Sequence, residues 1–379
     1  MVSKRVKELP PSGIRRFFEL ASKEPDIVTL GVGEPDFDTP YGIRDAGLRA
    51  IELNKTHYTS NAGLLELRER VSEKLRRENR IDVSSDEILI TSGSSEGLDL
   101  ALRAVIDIGD EVLIPDPAYV AYGPLTRLAG GRPVMVPTYE KNDFRVQVRD
   151  MENALTERTR AILLCSPNNP TGAVLTKADL EDIADFAIKH NLIVISDEIY
   201  EKLIYEGEHV SIASLSEMAE RTITLNGFSK AYAATGWRIG YVVAKGELME
   251  AMYKIHQYCM LCAPTPSQHA MLAAFDDRES IRQMLKTYNA RRKLLVGGLN
   301  EIPGISCHMP KGAFYAFPNI TKTNLGSEEF AEKLIREAKV ALVPGNVFGP
   351  SGEGFVRCSY SVSTSEIIEA LERIGKLFS

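Results

Sequence analysis

The sequence has little that would place the protein in a membrane or on a nucleic acid. No stretch approaches the roughly 18 consecutive apolar residues of a membrane span. The basic segment 1–18 has no apolar run of the kind that a secretory signal carries, so we expect no such signal. The formal net charge of −7 argues against a nucleic-acid surface, because readers of nucleic acids carry basic patches.

Cysteine is also scarce, since the chain has only 5, scattered along the sequence and odd in number. This pattern fits a reducing cytosol, and we therefore expect a cytoplasmic protein. Cys259 and Cys262 form a lone C-x-x-C pair. Without a second pair this is weak evidence for a metal or redox site, and we expect no metal among the functional groups.

What the chain does contain is an ordinary globular composition, 44% hydrophobic and 26% charged over 379 residues. Its central part holds seven short apolar runs, most of them separated by helical patterns. Most of the runs are continuous and do not alternate, which is typical of strands buried on both faces of a parallel sheet. The seven predicted strands are 87–90, 111–114, 133–136, 161–165, 192–196, 222–225 and 239–243.

These elements predict an α/β domain over residues 45–280, with a mostly parallel seven-stranded sheet covered by helices. After a long helical region the pattern changes, and short strands alternate with helices. We predict a smaller α+β domain there, formed by residues 281–379 together with residues 1–44. Its predicted strands are 305–309, 313–318, 341–344 and 355–359.

The residues that follow each predicted strand are informative, because open α/β sheets bind ligands at the carboxyl ends of their strands. The first strand leads into T-S-G-S-S-E-G, where the backbone N–H groups of Ser94 and Ser95 could approach an anion at a helix N-terminus. The alternative is that this loop only caps the helix. Tyr119 follows the next strand, placed either to stack on an aromatic ligand or to wedge against the sheet.

Three further polar side chains follow the next strands. Asn169 lies in a rigid Asn-Pro turn and offers an amide to the crevice. Asp197 ends an apolar strand, where a carboxylate is costly unless it is paired. Tyr200, three residues later, is expected to reach the same side.

Lys230 and Arg238 follow the sixth predicted strand. A desolvated lysine at such a position can lose its proton and attack a carbonyl, and the planar fork of an arginine can hold a phosphate. The alternative is a turn with two solvated cations. Taken together, the strand ends describe a planar, phosphorylated aldehyde with a basic ring nitrogen. Pyridoxal phosphate fits, because its sites combine a lysine Schiff base with an acidic partner of the pyridine nitrogen.

Several motifs spread over most of the chain resemble those of the fold-type I, class I and II aminotransferases. The motifs are G-x-G-E-P-D-F-D-T-P from residue 31, Y-x-x-x-x-G-x-x-E-L-R from 58, S-P-N-N-P-T-G from 166, S-D-E-I-Y from 196, S-K-A-Y-A-A-T-G-W-R-I-G-Y from 229, G-A-F-Y from 312 and V-R-C-S-Y from 356. The resemblance implies an enzyme that uses pyridoxal phosphate to move the amino group of an L-amino acid to a 2-oxo acid, such as 2-oxoglutarate, by a ping-pong mechanism.

The resemblance also implies roles for the residues already singled out. Lys230 would carry the cofactor and shuttle the Cα proton, while Asp197 would keep the pyridine nitrogen protonated. Asn169 and Tyr200 would hold the phenolic oxygen, and Tyr119 would stack on the ring. The phosphate would be bound by Ser94, Ser95 and Arg238, and by Tyr58 of the neighbouring subunit, which implies a homodimer with shared sites.

On the substrate side, the resemblance implies that Arg357 grips the α-carboxylate, helped by the Gly33 backbone and by Asn169. Two departures from the family pattern bear on specificity. Gly227 stands where many relatives have a phosphate-binding Ser or Thr, and Ser95 stands where some aspartate-using relatives have a lysine. Aspartate, aromatic and aliphatic amino donors therefore all remain open.

Two alternative functions share the same features. One is elimination with the same cofactor, by a C–S lyase or an enzyme like aminocyclopropanecarboxylate synthase. The other is a non-catalytic regulator that senses amino acids, although such proteins usually carry an added DNA-binding domain and this chain is acidic.

Overall fold

The computed structural model describes residues 2–7, 9, 13, 14, 17, 19, 22 and 26–379. The first 44 residues, which the sequence assigns to the smaller domain, are therefore described only in part. The strands are β1 (Val28–Thr29), β2 (Ile88–Thr91), β3 (Glu111–Asp116), β4 (Arg132–Pro137), β5 (Thr159–Cys165), β6 (Ile193–Asp197), β7 (Thr222–Gly227), β8 (Gly240–Val243), β9 (Tyr315–Ala316), β10 (Val340–Ala341), β11 (Val343–Pro344) and β12 (Val356–Ser359).

Helices separate most of these strands. Two of the described helices continue into a π-helical turn, at Leu75–Asn79 and Leu334–Ala338. The α-helices are α1 (Lys4–Lys7), α2 (Tyr41–Glu52), α3 (Leu65–Lys74), α4 (Ser94–Val105), α5 (Tyr122–Ala129), α6 (Val148–Ala154), α7 (Lys177–Lys189), α8 (Gly246–Cys259), α9 (Thr265–Leu272), α10 (Arg278–Asn300), α11 (Ser327–Lys333) and α12 (Thr364–Phe378). Within the described ranges, no helix combines the length and the apolar character needed to cross a bilayer.

The central sheet has seven strands in the order β2-β8-β7-β6-β5-β3-β4. Strands β4, β3, β5, β6 and β7 run parallel, whereas β8 is antiparallel to both of its neighbours. All seven strands expected from the apolar runs are present. The prediction of a mostly parallel seven-stranded sheet is therefore confirmed.

Strand β5 shows why this sheet is covered on both faces. Ala161 and Leu163 belong to one apolar cluster, while Ile162 and Leu164 belong to another. Helices α4 and α8 contribute to the first cluster, and helix α7 contributes to the second. Each fully buried Leu or Ile stabilises the fold by about 1.5–3 kcal/mol, so an unbroken apolar run specifies a strand with helices on both sides.

A second group of short strands lies outside the large sheet. Strand β1 pairs in parallel with β10, which ties the N-terminal segment to the C-terminal region. Strands β11, β12 and β9 form a small antiparallel sheet. Helices α10 and α12 contribute to the apolar cluster around these strands.

The predicted strand at 305–309 is wrong, because only an isolated bridge between Ser306 and Asn319 forms there. The cause is local: the Asn300 side chain bonds both the N–H and the carbonyl of Cys307, which a strand would use for its ladder. The predicted strand at 313–318 is reduced to β9, and that at 341–344 divides between β10 and β11.

The predicted boundary between the two domains is not sharp in the structure. Helix α2 begins at Tyr41 and helix α10 at Arg278, so the boundaries at residues 45 and 280 fall inside helices. The division into 45–280 and the two flanking segments stays a prediction.

Candidate active site

The carboxyl ends of the central strands open into a cavity of about 290 Å³. Most of the residues that the sequence singles out line it, although they come from segments more than 300 residues apart. The predicted residues in its wall are Gly33, Ser94, Ser95, Tyr119, Asn169, Asp197, Tyr200, Lys230, Arg238 and Arg357.

The sheet topology explains why these side chains meet. Strands β5, β6 and β7 are adjacent and parallel, and Cys165 pairs with Asp197, which in turn pairs with Leu225. The turns that follow the three strands therefore begin at the same edge of the sheet. Asn169, Asp197 and Lys230 reach one cavity as a direct result.

Asp197 is a buried carboxylate with both oxygens engaged. Its Oδ2 accepts a hydrogen bond of 2.8 Å from the Tyr122 hydroxyl, and its Oδ1 accepts one of 3.2 Å from the Ile199 N–H. Burial raises the pKa of Asp197 to about 6, although the two donated hydrogen bonds oppose this shift. The carboxylate is thus held in one orientation beside the cavity.

The amine of Lys230 faces the same cavity. Its Nζ donates a hydrogen bond of 2.7 Å to the Gly33 carbonyl and lies 5.8 Å from the centre of the Phe314 ring. Desolvation in the cavity lowers the pKa of Lys230 to about 8, although the Glu34 carboxylate opposes this shift. A larger fraction of the amine is therefore neutral near pH 8 than in an ordinary lysine.

Arg357 is held in the wall of the cavity by both hydrogen bonds and ring contacts. Its Nη1 donates to Asn169 Oδ1 at 3.0 Å, and its Nη2 donates to the Gly31 carbonyl at 2.6 Å. The guanidinium lies between the rings of Tyr315 and Phe348, at 4.5 and 4.9 Å from their centres. Only 3% of the residue is exposed, so the guanidinium has a fixed position at the cavity.

The predicted anion cradle lies where α4 begins, at Ser94 and Ser95. Gly93, which precedes the helix, has a φ of +79°, and a Cβ there would come within 2.6 Å of Arg238 Nη2. The guanidinium of Arg238 is thus close to free helical N–H groups, and its Nη1 donates to the Thr235 carbonyl at 3.0 Å. Helix N–H groups beside a guanidinium form a binding site for an anion such as a phosphate.

The phenols of Tyr200 and Tyr315 line the cavity. The hydroxyl of Tyr200 lies 2.9 Å from the hydroxyl of Tyr315, and burial raises the pKa of both. The Tyr119 ring meets the Tyr122 ring edge to face, with the centres 5.5 Å apart. The sequence alone suggested no role for Tyr122 or Tyr315. The available signals were that Tyr315 ends the G-A-F-Y motif and that only two residues separate Tyr122 from Tyr119.

Tyr58 is the predicted site residue that the structure does not bring to the cavity. It is 81% exposed, on the segment that follows α2.

Gly227 has a steric reason to lack a side chain. A Cβ at this position would approach the Gly240 Cα to 3.0 Å across the β7–β8 pair. The nearby Ser229 lines the cavity and brings a hydroxyl to it. In the sequence, the position of Ser229 directly before Lys230 was the signal that it would reach the site.

A buried charge network supports the turn that carries Asp197. Glu198 lies 2.8 Å from His209 Nε2, and Glu201 forms a buried ion pair with Lys74. Burial opposes ionisation of Glu201, but Lys74 and Lys202 hold its pKa down to about 2. Glu198, Glu201 and His209 are close enough to share a metal ion, but the Lys74 ammonium already supplies a cation to this cluster. Removing one partner of such a pair costs about 3–5 kcal/mol.

Comparisons with known proteins identify the family of the chain. Residues 25–374 match the model of the family described as aminotransferase class I and II. The chain is 48% identical to an aspartate aminotransferase of Pyrococcus abyssi over 99% of this chain and 98% of that protein. It is 47% identical to aromatic-amino-acid aminotransferase 2 of Thermococcus litoralis, over the same shares. The solved structure of the Thermus thermophilus aspartate aminotransferase with maleate superposes with a TM-score of 0.95 at 38% identity, covering 100% of this chain and 99% of that one.

The desolvated lysine gives a prediction for the protein without cofactor. We expect brief labelling of Lys230 by acetic anhydride to rise with pH and to reach half its maximum near pH 8, because desolvation lowers the pKa from 10.5 to about 8. Mass spectrometry of the peptide that contains Lys230 measures the labelled fraction. Glu34→Gln removes the carboxylate that opposes the shift and should move the midpoint lower. A midpoint near 10.5 would show that the amine is not desolvated.

Proposed function

The chain belongs to the class I and II aminotransferases, and from that premise we propose that it transfers the amino group of an aspartate-type, aromatic or aliphatic L-amino acid to 2-oxoglutarate by a ping-pong mechanism. As a member of this family it is a pyridoxal-phosphate-dependent enzyme that moves amino groups between amino and oxo acids. The observation that carries the proposal is that Lys230, Asp197 and Arg357 line one cavity.

The residues in the wall fit pyridoxal phosphate. Lys230 offers a partly desolvated amine, Asp197 a buried carboxylate, and Arg238 a guanidinium beside the start of α4. The start of α4 packs closely on β8, since a Cβ on Gly240 would come within 2.5 Å of the Ser94 nitrogen, and Ser94, Ser95 and Arg238 all line the cavity. These groups match the aldehyde, ring nitrogen and phosphate of the cofactor.

We assign the holding residues accordingly. The Ser94 and Ser95 N–H groups and Arg238 hold the phosphate, since they form the anion cradle. Asp197 would pair with the ring nitrogen. Asn169 and Tyr200 would hold the phenolic oxygen of the cofactor, and Tyr119 would cover its ring face.

When bound, pyridoxal phosphate acts as an electron sink that makes the Cα proton of an attached amino acid acidic. Lys230 would take that proton and return it on the way to product, because its amine faces the cavity and desolvation lowers its pKa to about 8. Positioned proton transfer of this kind contributes about 10²–10⁴-fold to a rate. The Asp197 carboxylate would keep the ring nitrogen protonated by charge pairing.

Arg357 binds the α-carboxylate of the substrate. Its guanidinium is fixed between Tyr315 and Phe348, so the carboxylate finds a prearranged bidentate partner. The Gly33 backbone adjoins it, since a Cβ there would lie 3.8 Å from Arg357 Nη2. A hydrogen bond to a charged group is worth about 1.5–3 kcal/mol, which favours α-amino acids over simple amines.

The test is a panel of L-amino acids supplied one at a time with 2-oxoglutarate to the purified holoenzyme. We expect glutamate and the matching oxo acid in equal amounts, with aspartate or an aromatic amino acid among the good donors. Lys230→Ala should lower kcat by at least about 100-fold, because the proton carrier is lost. Arg357→Leu should raise KM for α-amino acids by about 10-fold or more.

Two results would contradict the proposal. Pyruvate and ammonia formed without any oxo acid would indicate an elimination enzyme. Full turnover in the Lys230→Ala variant would remove the lysine from the mechanism.

We further propose a homodimer in which Tyr58 reaches the phosphate site of the neighbouring copy. Large side chains are exposed on a second segment, with Tyr258 at 83% and Met260 at 42%. The two regions adjoin, because Asn61 Nδ2 donates to the Leu261 carbonyl at 2.8 Å. A cluster of exposed apolar groups is typical of an interface, and closed twofold dimers are the commonest assembly.

A mixing experiment tests the shared site. Tyr58→Phe alone should weaken pyridoxal phosphate binding by about 10-fold, as expected for one lost hydrogen bond to a charged group. Mixed dimers of the Tyr58→Phe and Lys230→Ala chains should regain one site of normal cofactor affinity and activity, because each mixed dimer pairs an intact lysine with the other chain's tyrosine. Tyr258→Phe is the matched control. No recovery in mixed dimers would mean that Tyr58 does not act across subunits.

We propose that residues 1–44 and 281–379 form the unit that closes on the 45–280 domain, because β1 pairs with β10 and Arg357 lies on β12. We also propose a cytoplasmic location, since Cys165, Cys307 and Cys358 are free thiols, which is usual in a reducing compartment.

A further inference from the structure

Tyr122 joins two residues of the site, although no role has been assigned to it so far. Its hydroxyl donates to Asp197 Oδ2 at 2.8 Å, and its ring meets the Tyr119 ring edge to face, with the planes at 82°. Only 1% of the residue is exposed. One buried side chain thus contacts both the acid proposed for the ring nitrogen and the ring proposed for stacking.

The backbone around Tyr122 fixes the direction of its side chain. It is the first residue of α5, and its N–H donates to the Tyr119 carbonyl at 3.0 Å. Its own carbonyl accepts a hydrogen bond of 2.8 Å from the Thr126 hydroxyl. The phenol therefore projects from a well-anchored helix end towards the sheet and is not free to swing away from Asp197.

Asp197 depends on such a partner. Among the described residues, its other oxygen accepts a hydrogen bond only from the Ile199 N–H, at 3.2 Å, and the carboxylate lies at the end of an apolar strand. Burial of a carboxylate favours the neutral acid, whereas a hydrogen bond donated to the carboxylate favours its charged form. Tyr122 is therefore placed to oppose protonation of Asp197, which lines the cavity.

We propose that Tyr122 is a positioning residue that keeps Asp197 ionised and aimed at the cofactor ring nitrogen. The inference rests on the function proposed above for Asp197 and goes one step beyond it. The competing interpretation is that Tyr122 only fills space behind the cavity, with its hydroxyl satisfied by whatever acceptor is nearby.

A double-mutant cycle separates the two interpretations. The dissociation constant of pyridoxal phosphate is measured on the apoenzyme of the wild type, Tyr122→Phe, Asp197→Asn and the double variant. Tyr122→Phe should weaken binding by about 10-fold in the wild-type background. In the Asp197→Asn background the same change should cost less than about two-fold, because contacting residues are not additive. Tyr360→Phe, which alters a buried tyrosine outside the cavity wall, should have little effect in either background.

The pH dependence of cofactor binding provides a second readout that simple space filling would not move. Affinity should fall on acidification as Asp197 becomes protonated. Loss of the Tyr122 donor raises the pKa of Asp197, so the fall should begin at higher pH in Tyr122→Phe. The other titratable groups that face Asp197 are Glu198, Lys230, the Tyr119 phenol and the Cys165 thiol, and they are unchanged in this variant.

The outcomes are distinguishable. An equal loss of affinity from Tyr122→Phe in both backgrounds, with an unmoved pH profile, would overturn the role of Tyr122. Unchanged cofactor binding in Asp197→Asn alone would instead overturn the function proposed for Asp197.

Discussion

The structure depends on one constraint, which is that a carboxylate at the end of a buried strand must be paired. Asp197 ends β6 and takes hydrogen bonds from Tyr122 and from the Ile199 N–H. An ionised carboxylate without partners would be neutralised by a pKa shift. Asp197 and Lys230 line the same cavity, which therefore holds a fixed carboxylate and a partly desolvated base. The proposed chemistry needs both.

The topology of the sheet brings most of the site residues together. Because β5, β6 and β7 are adjacent and parallel, the turns after them open at one edge and bring an amide, an acid and a lysine together. The small antiparallel sheet then contributes Arg357 from β12, across more than 100 residues of chain. The substrate carboxylate would thus bind to one part of the molecule and the cofactor mainly to the other.

Much of the central sheet and of the candidate site could be predicted from the sequence, because the pattern of apolar residues marks the strands. Unbroken apolar runs indicate buried strands, and residues such as Asp197 and Lys230 stand directly after them. The antiparallel direction of β8 has no such local signal, and neither has the partnership of Tyr122 with Asp197, because 75 residues separate the two. The prediction of a strand at 305–309 was wrong because the Asn300 side chain bonds the N–H and the carbonyl of Cys307. Residue propensities carry no information about such a contact.

The central claim is that Asp197 holds a protonated ring nitrogen in the cavity that contains Lys230. The most direct measurement is the ¹⁵N chemical shift of ring-labelled pyridoxal phosphate bound to the protein at neutral pH. We expect the shift of a protonated nitrogen in the wild type and that of an unprotonated nitrogen in Asp197→Ala. An unprotonated nitrogen in the wild type, or the same shift in both proteins, would contradict the account.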